Sequence, residues 1–308
     1  MTWNVENLFR PGGMAGVTDP ALYERKLENL ASMIAAHRPD VIGLQEVGDP
    51  AALGDLKAKL GTRYPHVLVA THFDARHPIR VAALLRRGIR PSERDELIDF
   101  PATALTGVPQ ASGPLTAMGR GALAFSTTIG GESVRFVVTH LKSKLVTYPG
   151  GRFQPKDEDE RAREGGFALL RRAAEAVAVR VWANAWLQAH PGAPVIVVGD
   201  LNDGPDAATT QILYGPPDQN LTKPDKGDPW RLVNLARFLP SPSTAFSRVY
   251  HGRGELIDHI LVSHALHDRV QEVRSVIEHP LPSVTDNPGE RRDAVDSDHA
   301  PVLARIDL

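Results

Sequence analysis

Short apolar runs rich in Val, Ile and Leu recur from one end of the chain to the other, and two longer stretches interrupt them with helical spacing. Thr2–Leu8 reads as the first strand. Leu22, Leu27, Leu30 and Ile34 then approximate a helical period and predict a helix over Ala21–Ala36, which Pro39 and Asp40 end. Val41-Ile42-Gly43-Leu44-Gln45 follows as a buried strand, leaving Glu46 at its C-terminal edge on the rim of a sheet. Further strands are predicted at His66–Ala70, Arg80–Leu85, Gly121–Ser126, Ser133–Thr139, Val195–Val198, Leu256–Val262, Arg269–Ile277 and Val302–Asp307. The second helical stretch, Glu158 to His190, is rich in Ala and Arg and stops before Pro191-Gly192.

Three polar stretches punctuated by Gly and Pro, namely Lys144–Asp157, Gly215–Pro229 and Pro280–Asp296, read as long loops. Loops of that length in a compact domain are usually functional or mobile. Strands fall on both sides of the long helix, and no repeat or low-complexity linker divides the chain. Residues 1–308 are therefore expected to form one continuous domain. Two packed sheets covered by helices is the simplest architecture for so many strands.

With 308 residues and 42% hydrophobic content, the chain can bury a sizeable core. No stretch approaches the roughly 18 consecutive apolar residues of a membrane span. Met1 leads straight into Thr2-Trp3-Asn4 without a basic, apolar and cleavable leader. As given, the protein is expected to be cytoplasmic and monomeric, without membrane insertion; an omitted leader would make it secreted. The absence of cysteine excludes disulfides, thiolate metal sites and Cys nucleophiles, so any metal must use Asp, Glu, Asn or His. Oxygen-rich ligation of that kind suits Mg²⁺ or Mn²⁺, and also Ca²⁺. Thirty-five basic against 37 acidic residues give a net charge of −2, unlike the strongly basic balance of many dedicated nucleic-acid binders. Bulk charge thus leaves the substrate open.

Four segments set ligand-type residues beside apolar strand ends: Trp3-Asn4-Val5-Glu6-Asn7, Gln45-Glu46-Val47, Gly199-Asp200-Leu201-Asn202-Asp203 and Ser297-Asp298-His299-Ala300-Pro301. Thr139-His140-Leu141-Lys142-Ser143 and Leu256-Ile257-Asp258-His259-Ile260 accompany them. An unpaired buried carboxylate is costly, so acids appended to apolar strands must be exposed, hydrogen-bonded or bound to a cation. Hydrolysis of a phosphate ester needs a metal to offset phosphoryl charge, a base for water and donors for the charge that develops. Carboxylates, amides and imidazoles on a sheet rim supply all three.

In this order, the six segments resemble the endonuclease/exonuclease/phosphatase superfamily, which includes deoxyribonuclease I, abasic-site endonucleases, inositol-polyphosphate phosphatases and neutral sphingomyelinases. The resemblance spans nearly the whole chain and implies a four-layered α/β sandwich, with two central, mostly antiparallel β-sheets flanked by helices. It implies that Glu46 is the principal metal ligand, with Asn4, Glu6 and Asp298 completing or neighbouring the site. His299 and Asp258 resemble the family's His–Asp pair, making His299 the leading general base, with Asp200 a rival for the same water. Asn202 would hold a phosphate oxygen or a second metal, and His140 would donate to non-bridging oxygens of the transition state. Arg120 and Lys142 are candidate phosphate contacts. His37, His190 and His259 are left outside the site.

Two departures from the family pattern matter. Deoxyribonuclease-like members place a carboxylate to pair with the catalytic His near the start of the strand that begins here around Arg80. This chain has Pro78-Ile79 there, leaving His140 without that partner. Abasic-site endonucleases carry an Asn-Xaa-Tyr-Xaa-Pro-Asn type segment where Thr139-His140-Leu141-Lys142-Ser143 stands, which argues against abasic-site repair. Lys and Arg in the first two long loops, with Tyr148, Phe153 and Trp230, suit a phosphate backbone with stacked bases. The expectation is a nuclease or phosphodiesterase acting on nucleic acid. A phosphomonoesterase or lipid phosphodiesterase, and a catalytically silent phosphate-ligand binder, are the alternatives.

Overall fold

The computed structural model describes residues 1–308 apart from 75–76, 111–112, 216–222, 224–225, 242–243 and 288. The first half runs β1 (Thr2–Leu8), α1 (Pro20–His37), β2 (Val41–Val47), α2 (Pro50–Leu60), β3 (His66–Val69), β4 (Arg80–Leu85), β5 (Pro91–Asp99), β6 (Ala117–Ile129) and β7 (Glu132–His140). After it come α3 (Glu158–Ala189), β8 (Val195–Asp200), α4 (Ala208–Tyr214), β9 (Leu232–Asn234), β10 (Arg248–Tyr250), β11 (Arg253–Glu255), β12 (Asp258–Ser263), β13 (Val270–Ser275), β14 (Ser283–Val284) and β15 (Val302–Ile306).

Two six-stranded sheets carry the fold, ordered β13-β15-β1-β2-β4-β3 and β5-β6-β7-β8-β12-β9. Each is antiparallel except at one inner pair, β1 with β2 and β7 with β8. Apolar side chains on both faces of these strands produce three buried clusters. Val81, Phe125, Val138, Val198 and Ile260 fill the space between the sheets. Leu27, Leu30, Ile34 and Leu53 seal α1 and α2 over the first sheet, and Ala174, Ala178, Val179 and Leu213 seal α3 and α4 over the second. The layers are helix, sheet, sheet, helix, as expected. The sheets approach so closely at Gly43 that a Cβ there would lie 2.5 Å from Val198 Cγ2.

Helix ends follow local chemistry. Asp19 caps α1 by accepting from Ala21 N at 2.7 Å, with Pro20 in the first turn, and Asp157 caps α3 by accepting from Glu160 N at 2.7 Å. Helices α2 and α4 were not expected, nor were β5, β9 and the small β11-β10-β14 sheet. Strand β5 has the sequence PSERDELID, too polar to read as a strand, because it is an edge whose charges face solvent. The predicted loop 215–229 falls largely outside the described residues, and Asp228–Trp230 forms a 3-10 turn. The third long loop contains β14. Among the described residues, no helix is long and apolar enough to cross a membrane.

Candidate active site

Both parallel pairs end at the same rim. Strand β2 finishes at Glu46 and Val47, β7 at His140 and β8 at Asp200, while β12 starts there because it runs antiparallel to β8. Register aligns His140 with Asp200 and Asp200 with Asp258, setting three ionisable side chains in one cross-strand row. Gly199 permits this alignment: a Cβ there would sit 1.9 Å from Thr139 O on β7. Opposite the row, the pairings of β2 with both neighbours shift around Glu46, whose φ is 63°. Such a bulge re-aims a side chain, here toward the rim. Asn202 also has a left-handed φ, 56°, a conformation tolerated by Asn and often found at functional sites.

Asp200 Oδ2 is where the two halves meet. Asn4 Nδ2 donates to it at 3.1 Å and to Glu46 Oε1 at the same distance, so both acids converge on one amide. His140 Nε2 lies 3.5 Å from that oxygen and His299 Nε2 lies 4.0 Å from it. His299 Nδ1 contacts Asp258 Oδ2 at 2.7 Å, and Trp3 Nε1 bonds His299 O at 2.8 Å, pinning the terminal motif to β1. Burial disfavours the charged His299 ring, yet Asp258, Asp298 and Asp200 together raise its pKa to about 10. Burial and the neighbouring Asp258 raise Asp200 to about 7. His140 is pushed well below the usual imidazole range by burial and by the cationic Arg120. Its Nδ1 is buried without a hydrogen-bond partner among the described residues, in keeping with the missing carboxylate.

Glu6 is engaged on both oxygens. Arg291 grips it through Nε and Nη2 at 2.8 Å each, and Asp298 N donates to Oε2 at 2.9 Å. Burial and Asp298 nonetheless raise Glu6 to about 7. Asn202 donates from its backbone to Asp200 Oδ1 and from Nδ2 to Leu141 O. Arg120 Nη1 donates to Leu141 O at 2.8 Å, and the Lys142 ammonium to Ser143 O and Leu145 O. Burial and Arg120 hold Lys142 down at about 7. The structure therefore brings together Asn4, Glu46, His140, Asp200, Asp258 and His299, while Glu6, Arg120 and Lys142 are occupied by protein partners.

Sequence reasoning missed several groups. His77 Nε2 lies 3.0 Å from Asn7 Oδ1, and Asn7 N donates to Glu46 Oε2 at 3.0 Å. From α3, Glu175 accepts Gly119 N at 3.0 Å and Lys142 N at 2.7 Å, while Arg172 bonds Lys142 O and Asp203. Lys26 is buried near Glu6 and Asp298. None of these carries a local motif; each is defined by contacts distant in sequence. Tyr148, expected near stacked bases, is 7% exposed and packed inside, unlike Phe153 at 47%. His259 is structural, bonding Asp203 O at 2.9 Å and Asn234 Nδ2 at 3.2 Å.

The donor set fits a hard divalent cation. Its ligands are oxygen-rich, Asp258 Oδ1 is buried without a hydrogen-bond partner among the described residues, and burial beside Asp258 raises Asp200, a shift that a bound cation would oppose. Asp200, Asp258 and His299 offer ligand atoms within 4.8 Å of one another. The last two are also joined by a 2.7 Å hydrogen bond.

The sequence pattern of the Endonuclease/Exonuclease/phosphatase family matches residues 1–299. The chain belongs to that family. It is accordingly a phosphoester hydrolase. No curated protein matches the chain in sequence. Among solved structures, the family member resembles a Danio rerio TDP2 complexed with single-strand DNA product (17% identity, TM-score 0.57, covering 98% of this chain and 95% of that one). It also resembles a Bacteroides thetaiotaomicron mannosyl-6-phosphatase (15%, 0.59, 100% and 99%). The human Nocturnin catalytic domain with bound sulfate is similar too (16%, 0.55, 98% and 93%). At these identities the likeness concerns the fold.

Proposed function

We propose that this family member is a divalent-metal-dependent phosphodiesterase that cleaves nucleic acid, with His299 and Asp200 bringing water onto the phosphate. The observation that carries this reading is the sharing of Asp200 Oδ2 between the Asn4–Glu46 pair and the His299–Asp258 pair. Mg²⁺ or Mn²⁺, with Ca²⁺ also compatible, would be held by Glu46 and Asp298, with Asn4 orienting Glu46 through Nδ2 while its Oδ1 accepts from Glu6 N, and would polarise the phosphate while offsetting the carboxylates that keep His299 protonated.

Asp258 fixes the proton of His299 on Nδ1 and leaves Nε2 facing Asp200. The 4.0 Å between Nε2 and Asp200 Oδ2 is a gap that one water bonded to both at about 2.8 Å bridges. His299 takes the water proton, and Asp200 orients the oxygen toward phosphorus. His140 and Asn202, flanking Asp200, serve the non-bridging oxygens. Glu6 holds Asp298 through its backbone and is itself held by Arg291.

Charge favours a diester over a monoester. Arg291 is spent on Glu6 and Lys142, whose pKa is about 7, on carbonyls, so the four remaining acids (Glu46, Asp200, Asp258 and Asp298) are met, among the described residues, chiefly by His299 and by Arg248 beside Asp298. A monoanionic phosphodiester meets less repulsion there than a dianionic monoester. The DNA product bound to the structurally similar TDP2 supports a polynucleotide. The test is turnover on DNA and RNA oligonucleotides, bis-nitrophenyl phosphate, nitrophenyl phosphate and sphingomyelin, each with and without chelator. Chelator-sensitive cleavage of the oligonucleotides and the diester, well above the monoester, is expected. Preference for nitrophenyl phosphate or sphingomyelin would replace this reading with a phosphomonoesterase or a lipid phosphodiesterase. Absence of turnover with Mg²⁺, Mn²⁺ and Ca²⁺ would indicate a silent binder.

A further inference from the structure

Cations around the site are mostly committed to protein acceptors. Arg120 bonds Leu141 O, Arg172 bonds Lys142 O and Asp203, and Arg291 bonds Glu6. Arg248 differs. Among the described residues its guanidinium makes no hydrogen bond: Nε is buried without a hydrogen-bond partner and is only ion-paired, with Asp298 Oδ2 at 3.6 Å. Burying a polar group without a bond is costly, and the cost is recovered if the partner arrives with the substrate.

Its place is set by backbone. Arg248 opens β10 of the three-stranded sheet and pairs with His299 in an isolated bridge. Asp298 then divides its carboxylate, with Oδ1 4.0 Å from His299 Nε2 and Oδ2 toward Arg248. Side-chain exposure rises outward along this line, from 2% at Asp200 and 5% at His299 to 13% at Asp298 and 23% at Arg248. The Tyr250 ring lies 5.6 Å from the guanidinium and supports it from the same strand. Arg248 thus stands one carboxylate outside the position of attack, on the way to solvent.

Building on the nuclease reading, we infer that Arg248 binds a phosphodiester flanking the one that is cut, so that the small sheet grips the polynucleotide strand. A guanidinium fork matches phosphate oxygens in pairs, and a lysine at that point would not. The scissile phosphate belongs to the groups around Asp200 Oδ2; a second anion on the same strand falls to the cation beyond Asp298.

The test compares the full chain with Arg248→Ala and Arg248→Lys. Turnover is measured on DNA and RNA oligonucleotides and on bis-nitrophenyl phosphate, which has a single phosphate. Binding of a labelled oligonucleotide is followed by anisotropy with chelator present, so that nothing is cleaved. For Arg248→Ala, kcat/KM on the oligonucleotide should fall about tenfold further than on bis-nitrophenyl phosphate, with the extra loss in KM. The slope of log affinity against log salt should become shallower by about one. Arg248→Lys should restore the salt slope while recovering only part of the affinity. Equal losses on both substrates, or an unchanged salt slope, would overturn the inference; a lowered thermal midpoint would then identify a purely structural role. Wild-type protein that cleaves bis-nitrophenyl phosphate but no oligonucleotide would remove the nuclease reading and Arg248's role with it. Oligonucleotide cleavage unaffected by Arg248→Ala would remove only the role of Arg248.

Discussion

Asp258 offers one oxygen to His299 at 2.7 Å and keeps the other buried without a hydrogen-bond partner among the described residues, so the side chain's contribution rests on that one bond. Asp258→Asn preserves the shape but replaces an acceptor of Nδ1–H by an amide, removing the charge that holds the imidazole in register. Turnover should fall on the order of a hundredfold or more, with little change in KM, as read by steady-state kinetics beside a thermal melt. A variant within a few-fold of wild type would place the dyad outside the reaction. Asp258, like Asn4, Glu46, Asp200 and His299, was legible because a polar residue attached to an apolar strand end needs a reason to be there. Arg248, Glu175 and Arg291 were not. Arg291 meets Glu6 across 285 residues, and nothing local distinguishes it from a solvated charge.

At the level of elements, the site depends on how tightly β7 and β8 abut. A Cβ on Gly199 would lie 1.9 Å from the Thr139 carbonyl oxygen, which is backbone and cannot rotate away. Gly199→Ala should therefore destabilise the protein by about 1–3 kcal/mol in urea unfolding. The His140–Asp200 register should shift with it, lowering turnover further than the stability loss explains. Full activity at wild-type stability would show that the strands can separate without consequence. Inner strands and both long helices were readable from apolar periodicity. The exposed edge β5 and the small sheet were not, since pairing rather than burial makes them strands. The small sheet is also where the inferred strand grip lies.

Across the whole molecule, two antiparallel-rich sheets each supply one parallel pair, and the ends of those pairs face a common rim. Glu46 lies on the first sheet, His140, Asp200 and Asp258 on the second, and Asn4 Nδ2 joins the two by donating to both Glu46 and Asp200, while Asp298 and His299 lie just before β15. The layered fold and the family were readable from the ordered motifs because those motifs sit at strand ends; those motifs do not distinguish one phosphoester substrate from another. The most direct measurement is the turnover of His299→Ala on bis-nitrophenyl phosphate with Mn²⁺, compared with wild type at matched thermal stability. A loss on the order of a thousandfold with KM nearly unchanged is expected. Hydrolysis within a few-fold of wild type would contradict it.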